Sequence, residues 1–143
     1  MYSCNAFLRT LSFLSIIFLL AHVLHAKSIE YVFKNEFGTK LKPSTESFDK
    51  DSEIIGGYAK YRISVAVGTQ NEMDLINDKK EEIIPIIESL VKECNGMELQ
   101  ATRERQLLAD KITKKINAYL NQKIIKATHI TNMVIAPDIV FKP

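Results

Sequence analysis

The sequence predicts an α+β fold: a single amino-terminal transmembrane or signal helix, then a small sheet of about three strands packed on two consecutive amphipathic helices. Three observations predict this. The chain begins with an apolar run that has no acidic residue before Glu30, an alternating segment starts at Tyr58, and apolar residues recur at helical spacing after Gln70. We divide the chain into residues 1–26 as membrane anchor or signal segment, 27–57 as stalk and linker with a possible short strand, and 58–143 as the α+β domain.

Composition excludes several classes of protein. The 19 Lys and Arg residues nearly balance the 17 Asp and Glu residues, so we expect no nucleic-acid partner held by bulk positive charge. Cys4 and Cys94 lie on opposite sides of the apolar run, which excludes an internal disulfide framework. With five glycines and three histidines in 143 residues, we expect no cofactor, no metal site and no catalysis.

The amino-terminal run, Thr10–Ala26, would span roughly 25 Å as a helix, against a hydrocarbon core of about 30 Å. Counting back to Ala6 lengthens it, with Arg9 snorkelling toward the headgroups. Because the positive charge precedes the run, we expect the amino terminus in the cytoplasm and the rest in the periplasm, anchored in the inner membrane. The predicted membrane-facing side chains are Leu11, Phe13, Leu14, Ile16, Ile17, Phe18, Leu19, Leu20, Val23 and Leu24.

A cleaved signal peptide is the alternative interpretation of the same run. Ala26 before Lys27 fits a cleavage site, but Leu24 stands where a small residue is preferred. The pattern favours a retained anchor and leaves cleavage open. In both cases the chain leaves the cytoplasm.

The exported part begins with mixed signals and then a clear strand. Lys27–Phe37 partly alternates and predicts a strand or a stalk. Gly38–Gly57, where Pro43 is followed by a cluster of Ser, Thr and Asp residues, predicts a linker that ends in a Gly56-Gly57 turn. From Tyr58 to Gly68 apolar and polar residues alternate strictly, which predicts a half-buried strand. Its apolar face comprises Tyr61, Ile63, Val65 and Val67.

Two helices should follow the polar break at Gln70–Asp74. The first has a loose turn from about Leu75, a firm part from about Glu82 and a stop at Asn95-Gly96, and Pro85 should lie in its first turn or mark a kink. Its apolar stripe comprises Ile76, Ile83, Ile87, Leu90, Val91 and Cys94. The second runs from Thr102, a candidate cap, to Asn121, with Leu108, Ile112, Ile116 and Leu120 four residues apart.

Lys123–Val140 predicts the closing strand, which Pro137 either ends or confines to a sheet edge. Charge divides between the helices. Gln70–Gly96 carries seven acids and three bases, whereas Met97–Thr128 carries three acids and seven bases. The opposite signs should help the two helices to pair.

Candidates for chemistry are weak. His129 lacks a second His or Cys at ligand spacing, Cys94 lies on an apolar stripe, and Glu81, Glu82 and Glu88 follow a solvated face. The most suggestive patch is the basic face of the second helix, which is either simply solvated or meets an acidic partner or anionic lipid. It comprises Arg103, Lys111, Lys114, Lys115 and Lys123.

The exported half resembles the periplasmic domain of the flagellar basal-body-associated FliL family. The resemblance covers Tyr58 to Ala136. It follows the order of a tyrosine-led strand to Val67, Pro85-Ile86-Ile87 leading to Leu90, a second helix with Ile116-Asn117-Ala118-Tyr119-Leu120, and a hydrophobic strand over Ile124–Ile135. For Asn117 itself, an exposed polar position and a family-specific role are equally good interpretations. The closing strand departs from the family by lacking an aromatic-rich ending.

The resemblance implies a non-catalytic protein that accompanies the flagellar stator proteins MotA and MotB in the basal body. It also implies a stomatin-like domain that forms a homo-oligomeric ring around the stator, and so supports motility. An acidic first helix and a basic second helix would suit head-to-tail contact, with Glu81, Glu88, Lys111, Lys114 and Lys115 as the candidate self-association face. The alternative function is a secreted, soluble periplasmic binding protein released by signal-peptide cleavage.

Overall fold

The computed structural model describes residues 28–34, 36–43 and 52–141. These residues form an antiparallel sheet, three α-helices and one short 3₁₀-helix, so the predicted α+β class is confirmed. The strands are β1 (Ile29–Val32), β2 (Phe37–Leu41), β3 (Ser52–Val67) and β4 (Ala127–Phe141). The helices are α1 (Gln70–Asp78), α2 (Lys80–Lys92) and α3 (Thr102–Leu120), with the 3₁₀-helix at Glu98–Gln100.

Strand β3 is the centre of the sheet. Along one edge, residues 52–66 of β3 pair with β4. Its other edge is shared by two short strands: β1 pairs with residues 64–67 of β3, and β2 pairs with residues 57–61. All three pairings are antiparallel. The sheet is therefore only three strands wide, although it contains four strands.

The strand predicted from alternation is confirmed and is longer than expected. Tyr61, Ile63, Val65 and Val67 are all at most 1% exposed on the helix side, as predicted. On the other face Lys60 and Arg62 are exposed, whereas Ser64 and Ala66 are buried.

The linker predicted over Gly38–Gly57 is wrong for the part of that interval that the structure describes. Phe37–Leu41 is strand β2, and β3 already begins at Ser52. The predicted Gly56-Gly57 turn is also wrong, because both glycines lie inside β3 at a register shift. Gly56 has φ 153°, a backbone conformation that a side chain disfavours and that suits a bulge.

The first helical region is two helices, α1 and α2, separated at Lys79. The polar break predicted at Gln70–Asp74 is wrong, because these residues form the start of α1, which begins with a capping box. The Thr69 hydroxyl accepts a hydrogen bond from the backbone N–H of Glu72, and the Glu72 carboxylate accepts one from the backbone N–H of Thr69. Pro85 lies inside α2 instead of in its first turn, and α2 ends at Lys92, before the predicted stop.

Helix α3 matches the predicted second helix closely, but its cap differs. The N-cap residue is Ala101, which has no side chain to accept a hydrogen bond, so Thr102 is the first helical residue and not the cap. Asn121 ends the helix in the left-handed conformation, with φ 52°.

The closing strand begins at Ala127, later than predicted, and continues past Pro137. Among the described strands β4 pairs only with β3, so Pro137 lies on an edge strand. Of the two alternatives predicted for Pro137, confinement to a sheet edge is therefore the correct one.

The core is a single apolar layer between the sheet and the helices. The predicted stripe is buried along α1 and α2, whereas Cys94, which follows α2, is half-buried. On α3 Leu108, Ile112 and Ile116 are buried and Leu120 is half-buried. Ile124 and Ile125, which precede β4, and Leu99 of the 3₁₀-helix complete this layer. Helices therefore cover one face of the sheet, as the sequence predicts.

The predicted membrane segment, Thr10–Ala26, lies outside the described residues. Within residues 28–34, 36–43 and 52–141, no helix has both the length and the apolar character needed to cross a bilayer.

Candidate interaction surfaces

The predicted acidic residues Glu81 and Glu88 lie on the side of α2 that faces β1 and the turn after it. Glu88 accepts a hydrogen bond from Lys34 at 2.9 Å, and both side chains are more than one third exposed. Glu81 is exposed, and partial burial together with the charge of Glu81 raises the pKa of Tyr31 on β1. We call this region the acidic edge; it consists of Glu81, Glu88 and the neighbouring Lys34.

Lys34 also connects the acidic edge to the aromatic part of the core. Its Nζ atom lies 4.2 Å from the centroid of the Phe37 ring, and that ring stacks on Tyr61 at 5.2 Å. The Tyr61 hydroxyl shares a 2.8 Å hydrogen bond with Thr39, and burial raises the pKa of Tyr61 to about 12. Tyr61 is therefore a neutral core residue at physiological pH.

The predicted basic residue Lys114 lies on the opposite side of the domain. Helix α3 packs along β4, and Thr113 shares a 2.7 Å hydrogen bond with Thr128 of that strand. Lys114 lines a cleft at this contact together with Lys126 and His129. We call this region the basic edge, defined by Lys114, Lys126 and His129. The same cleft also contains one carboxylate, that of Asp110, which accepts a hydrogen bond from Gln106 at 3.2 Å.

Lys111 and Lys115, the remaining predicted residues, line a groove of about 740 Å³ between α2 and α3. Its floor is mainly apolar, with Pro85, Ile86, Leu90, Ala118 and Tyr119 among the lining residues. Lys111 lies 3.4 Å from Glu93 across the groove, and Tyr119 donates a hydrogen bond to Glu82. Part of the opposite charge on the two helices is therefore matched within one molecule, as the charge division predicts.

A second groove, of about 580 Å³, lies where α3 passes into β4. It is lined by Lys114, Asn117, Ala118, Asn121, Gln122, Lys123 and Ile125. Asn117 fixes the backbone of Ile125, which lines this groove, through two hydrogen bonds. Its side-chain NH₂ group donates to the carbonyl oxygen of Ile125 at 2.9 Å, and its side-chain oxygen accepts from the N–H of Ile125 at 3.0 Å. We call this the α3–β4 groove.

Asn117 is thus a positioning residue that sequence reasoning did not identify. The sequence left it between an exposed polar position and a family-specific role, whereas the structure makes it half-buried and bonded to a backbone segment eight residues away. No local sequence pattern predicts this contact, because it depends on the path of the connection between α3 and β4, which brings Ile125 back to Asn117.

The candidates for chemistry remain isolated from one another. Cys94 donates a hydrogen bond to the carbonyl of Leu90 at 3.3 Å, and burial raises the pKa of its thiol. His129 is exposed on β4, opposite Ser64. Among the described residues, no three His, Cys, Asp or Glu side chains come close enough together to hold a metal ion.

No family model matches the chain, and no curated protein matches it.

Proposed function

We propose that this protein is a membrane-anchored, non-catalytic component of the flagellar basal body that associates with the stator proteins MotA and MotB and supports torque generation and motility. The flagellar part of the proposal comes from the FliL-like order of elements in the sequence. The part that concerns assembly is supported by one observation: the acidic edge and the basic edge lie on opposite sides of the domain.

Opposite edges are what a ring requires. A ring of identical subunits needs a heterologous interface, in which one patch of a subunit contacts a different patch of the next. Acid and base on a single face would instead favour a two-fold dimer or internal pairing. In this domain Glu81 and Glu88 are on the β1 side of α2, whereas Lys114 is beside β4, so the two patches can be occupied by two different neighbours.

The structure also sharpens which residues should matter. Lys111 and Lys115 both line the groove between α2 and α3, so neither lies on the basic edge. Lys114 is exposed at that edge. We therefore expect Lys114 to contribute more than Lys115 to self-association. On the acidic edge the carboxylate of Glu88 is already 2.9 Å from Lys34, so Glu81 is the acid that we expect to contact a neighbour.

The experiment is crosslinking of the full-length protein in membranes with a carbodiimide that joins carboxylates directly to amines. We expect the yield of ladders above the monomer to fall several-fold in Lys114→Glu, and Glu81→Lys combined with Lys114→Glu to recover part of it. Lys115→Glu tests the groove and is the control for loss of a reactive amine. Arg103→Glu is the control for charge reversal alone, because it reverses an exposed charge in the first turn of α3, where a negative charge is tolerated. Equal ladders in Lys114→Glu and Arg103→Glu would refute the head-to-tail interface.

The flagellar role has its own test, which is deletion of the gene and measurement of swimming in viscous medium. We expect slower swimming that is restored by the wild-type gene and not by Lys114→Glu. Normal swimming in the deletion strain would remove the stator role, whatever the crosslinking result.

The alternative, a secreted periplasmic binding protein, makes a different prediction for the mature chain. Mass measurement on the protein from the membrane fraction should find residues 1–26 still present. A soluble chain that begins at Lys27 would favour the alternative.

A further inference from the structure

We propose that the end of the domain where β1 begins lies against the bilayer, and that the α3–β4 groove at this end binds the phosphate of an anionic phospholipid. This inference rests on the anchor part of the proposed function. It adds a ligand class and an orientation that the proposed function does not contain.

Chain length sets the distance to the bilayer. The predicted membrane segment ends at Ala26, and Ile29 is already paired with Val67 in the sheet. Three residue steps of extended chain reach at most about 10 Å. If the apolar segment is in a bilayer, the surface of that bilayer is therefore within about 10 Å of Ile29, because only two residues separate Ala26 from Ile29.

The register identifies what else lies at this end of the domain. Ile29 is opposite Val67, and Ala66 of the same strand is opposite Ala127, the first residue of β4. The connection from β3 to α1, at Gly68–Thr69, and the connection from α3 to β4, at residues 121–126, therefore lie here too. Lys126 fixes the second connection to the sheet, because its backbone N–H donates to the carbonyl of Ala66 at 2.8 Å. We call this the Ile29 end.

The α3–β4 groove at the Ile29 end has the chemistry of a phosphate site. Its lining residues include two lysines, Lys114 and Lys123, and three side-chain amides, and none is a carboxylate. Asn121 and Gln122 are exposed, so their amide groups can donate to a ligand, whereas Asn117 is engaged with Ile125. Lys126 does not line the groove, but it is exposed at the same end of the domain, where its ammonium group lies beside Gly68. Ammonium and amide donors on a concave surface suit a phosphodiester oxygen.

The carboxylates near this end have partners within the domain. Glu72 accepts hydrogen bonds from the backbone N–H groups of Gly68 and Thr69, at 2.7 Å and 3.0 Å. Glu30 accepts one from the hydroxyl of Ser64. These donors are uncharged, so both carboxylates keep their charge, but neither lines the α3–β4 groove, whose charged lining residues are Lys114 and Lys123. An anionic headgroup therefore complements the groove itself.

The test is a lysine footprint of the full-length protein reconstituted in vesicles of phosphatidylcholine, with or without phosphatidylglycerol. Vesicle-bound protein is treated with an amine-acetylating reagent, and the modification rate of each lysine is measured by mass spectrometry. We expect phosphatidylglycerol to slow modification of Lys123 and Lys126 about fivefold, the effect of one favourable contact between a lysine and an anionic surface. Lys42 and Lys92 are the internal controls, since both are exposed and Lys42 follows β2, far along the sheet from Ile29.

Each outcome has a definite meaning. If the protein floats with the vesicles but Lys123 and Lys126 react equally in both lipids, the inference is wrong and the anchor stands. If the protein does not float with the vesicles, the anchor part of the proposed function fails first. Protection by inorganic phosphate in phosphatidylcholine vesicles would assign the groove to a free anion, and protection only by an added envelope fraction would assign it to an acidic protein. Either result overturns the lipid assignment.

A pair of variants checks that the two lysines themselves confer the lipid dependence. Crosslinking to a phosphatidylglycerol analogue with a photoactivatable headgroup should map to residues 114–126 in the wild type. It should fall several-fold in Lys123→Gln with Lys126→Gln and remain in Lys42→Gln with Lys92→Gln, which removes the same charge elsewhere. Equal crosslinking of the two double variants would refute the proposed site.

Discussion

The interior of the domain and its Ile29 end are held together by different interactions. In the interior, apolar side chains from β3 and all three helices pack into one layer, with Ile63, Ile87 and Ile112 fully buried. At the Ile29 end, individual polar side chains bond to backbone groups: Asn117 to Ile125, and Glu72 to Gly68 and Thr69. The interior depends on a repeated pattern, whereas the end depends on a few single residues.

This difference has consequences for both stability and function. An apolar layer tolerates substitutions that conserve side-chain volume and apolar character, whereas truncation that leaves a cavity is costly. A connection held by two or three hydrogen bonds depends on each donor and acceptor. The α3–β4 groove is at the second kind of place, so its shape should be sensitive to single polar substitutions that leave the fold intact.

The largest expected effect is in the interior. Ile112→Ala removes a fully buried side chain from α3 and leaves a cavity, so we expect the free energy of unfolding to fall by about 2–5 kcal/mol. The measurement is urea denaturation of the full-length protein in mild detergent, followed by circular dichroism. Leu107→Ala is the matched control on the same helix, because Leu107 is 51% exposed and its loss should change stability by less than about 0.5 kcal/mol. Equal losses in the two variants would contradict the assignment of the buried face.

A smaller effect is expected at the Ile29 end. Asn117→Ala removes both bonds to Ile125, a residue only 3% exposed, and leaves its backbone N–H and carbonyl without partners. We expect the free energy of unfolding to fall by about 1–3 kcal/mol. We also expect faster amide hydrogen exchange at Ile125 and its neighbours, with little change in β3.

Gln106→Ala is the control for this substitution. It removes an amide from the same helix, but the Gln106 side chain is exposed, and its hydrogen bond within the described part of the chain is to Asp110, at 3.2 Å. Exchange that speeds up equally across the sheet in Asn117→Ala would mean that Asn117 supports the whole fold and not the connection.

The same comparison explains how much of the fold the sequence could predict. Alternation at Tyr58–Gly68 and the apolar spacing on the helices predicted most of the interior, because burial on one face repeats with the period of the backbone. The exceptions are Cys94 and Leu120, which are half-buried, and Ser64 and Ala66, which are buried on the other face of β3. The opposite charges of the two helical regions appear as one ion pair, Lys111 with Glu93, in which both side chains are more than half exposed, so it contributes little to the contact between the helices.

The errors concern long-range pairing and single polar residues. Phe37–Leu41 carries a short alternation, with Phe37, Thr39 and Leu41 buried and the glycine and lysine between them exposed. Five residues with so few apolar side chains do not predict a strand by themselves, and the segment forms one where β3 offers it an edge. The two edges of opposite charge could not be predicted either, since they depend on which strand each helix packs against. The start of α1, however, carried a recognisable signal: Thr69 and Glu72 have the spacing of a capping box, and the acidic and polar residues after Thr69 are ordinary for a first helical turn.

The smallest of the three expected effects tests that signal. Thr69→Ala removes the hydroxyl that accepts from the Glu72 N–H, so we expect a loss of about 1 kcal/mol in the free energy of unfolding, measured by the same urea titration. The informative control is Thr102→Ala, because the sequence favoured Thr102 as a cap and the structure makes it the first residue of α3, behind an uncapped Ala101. A greater loss in Thr102→Ala than in Thr69→Ala would show that the sequence-based cap is right and that α3 begins one residue later.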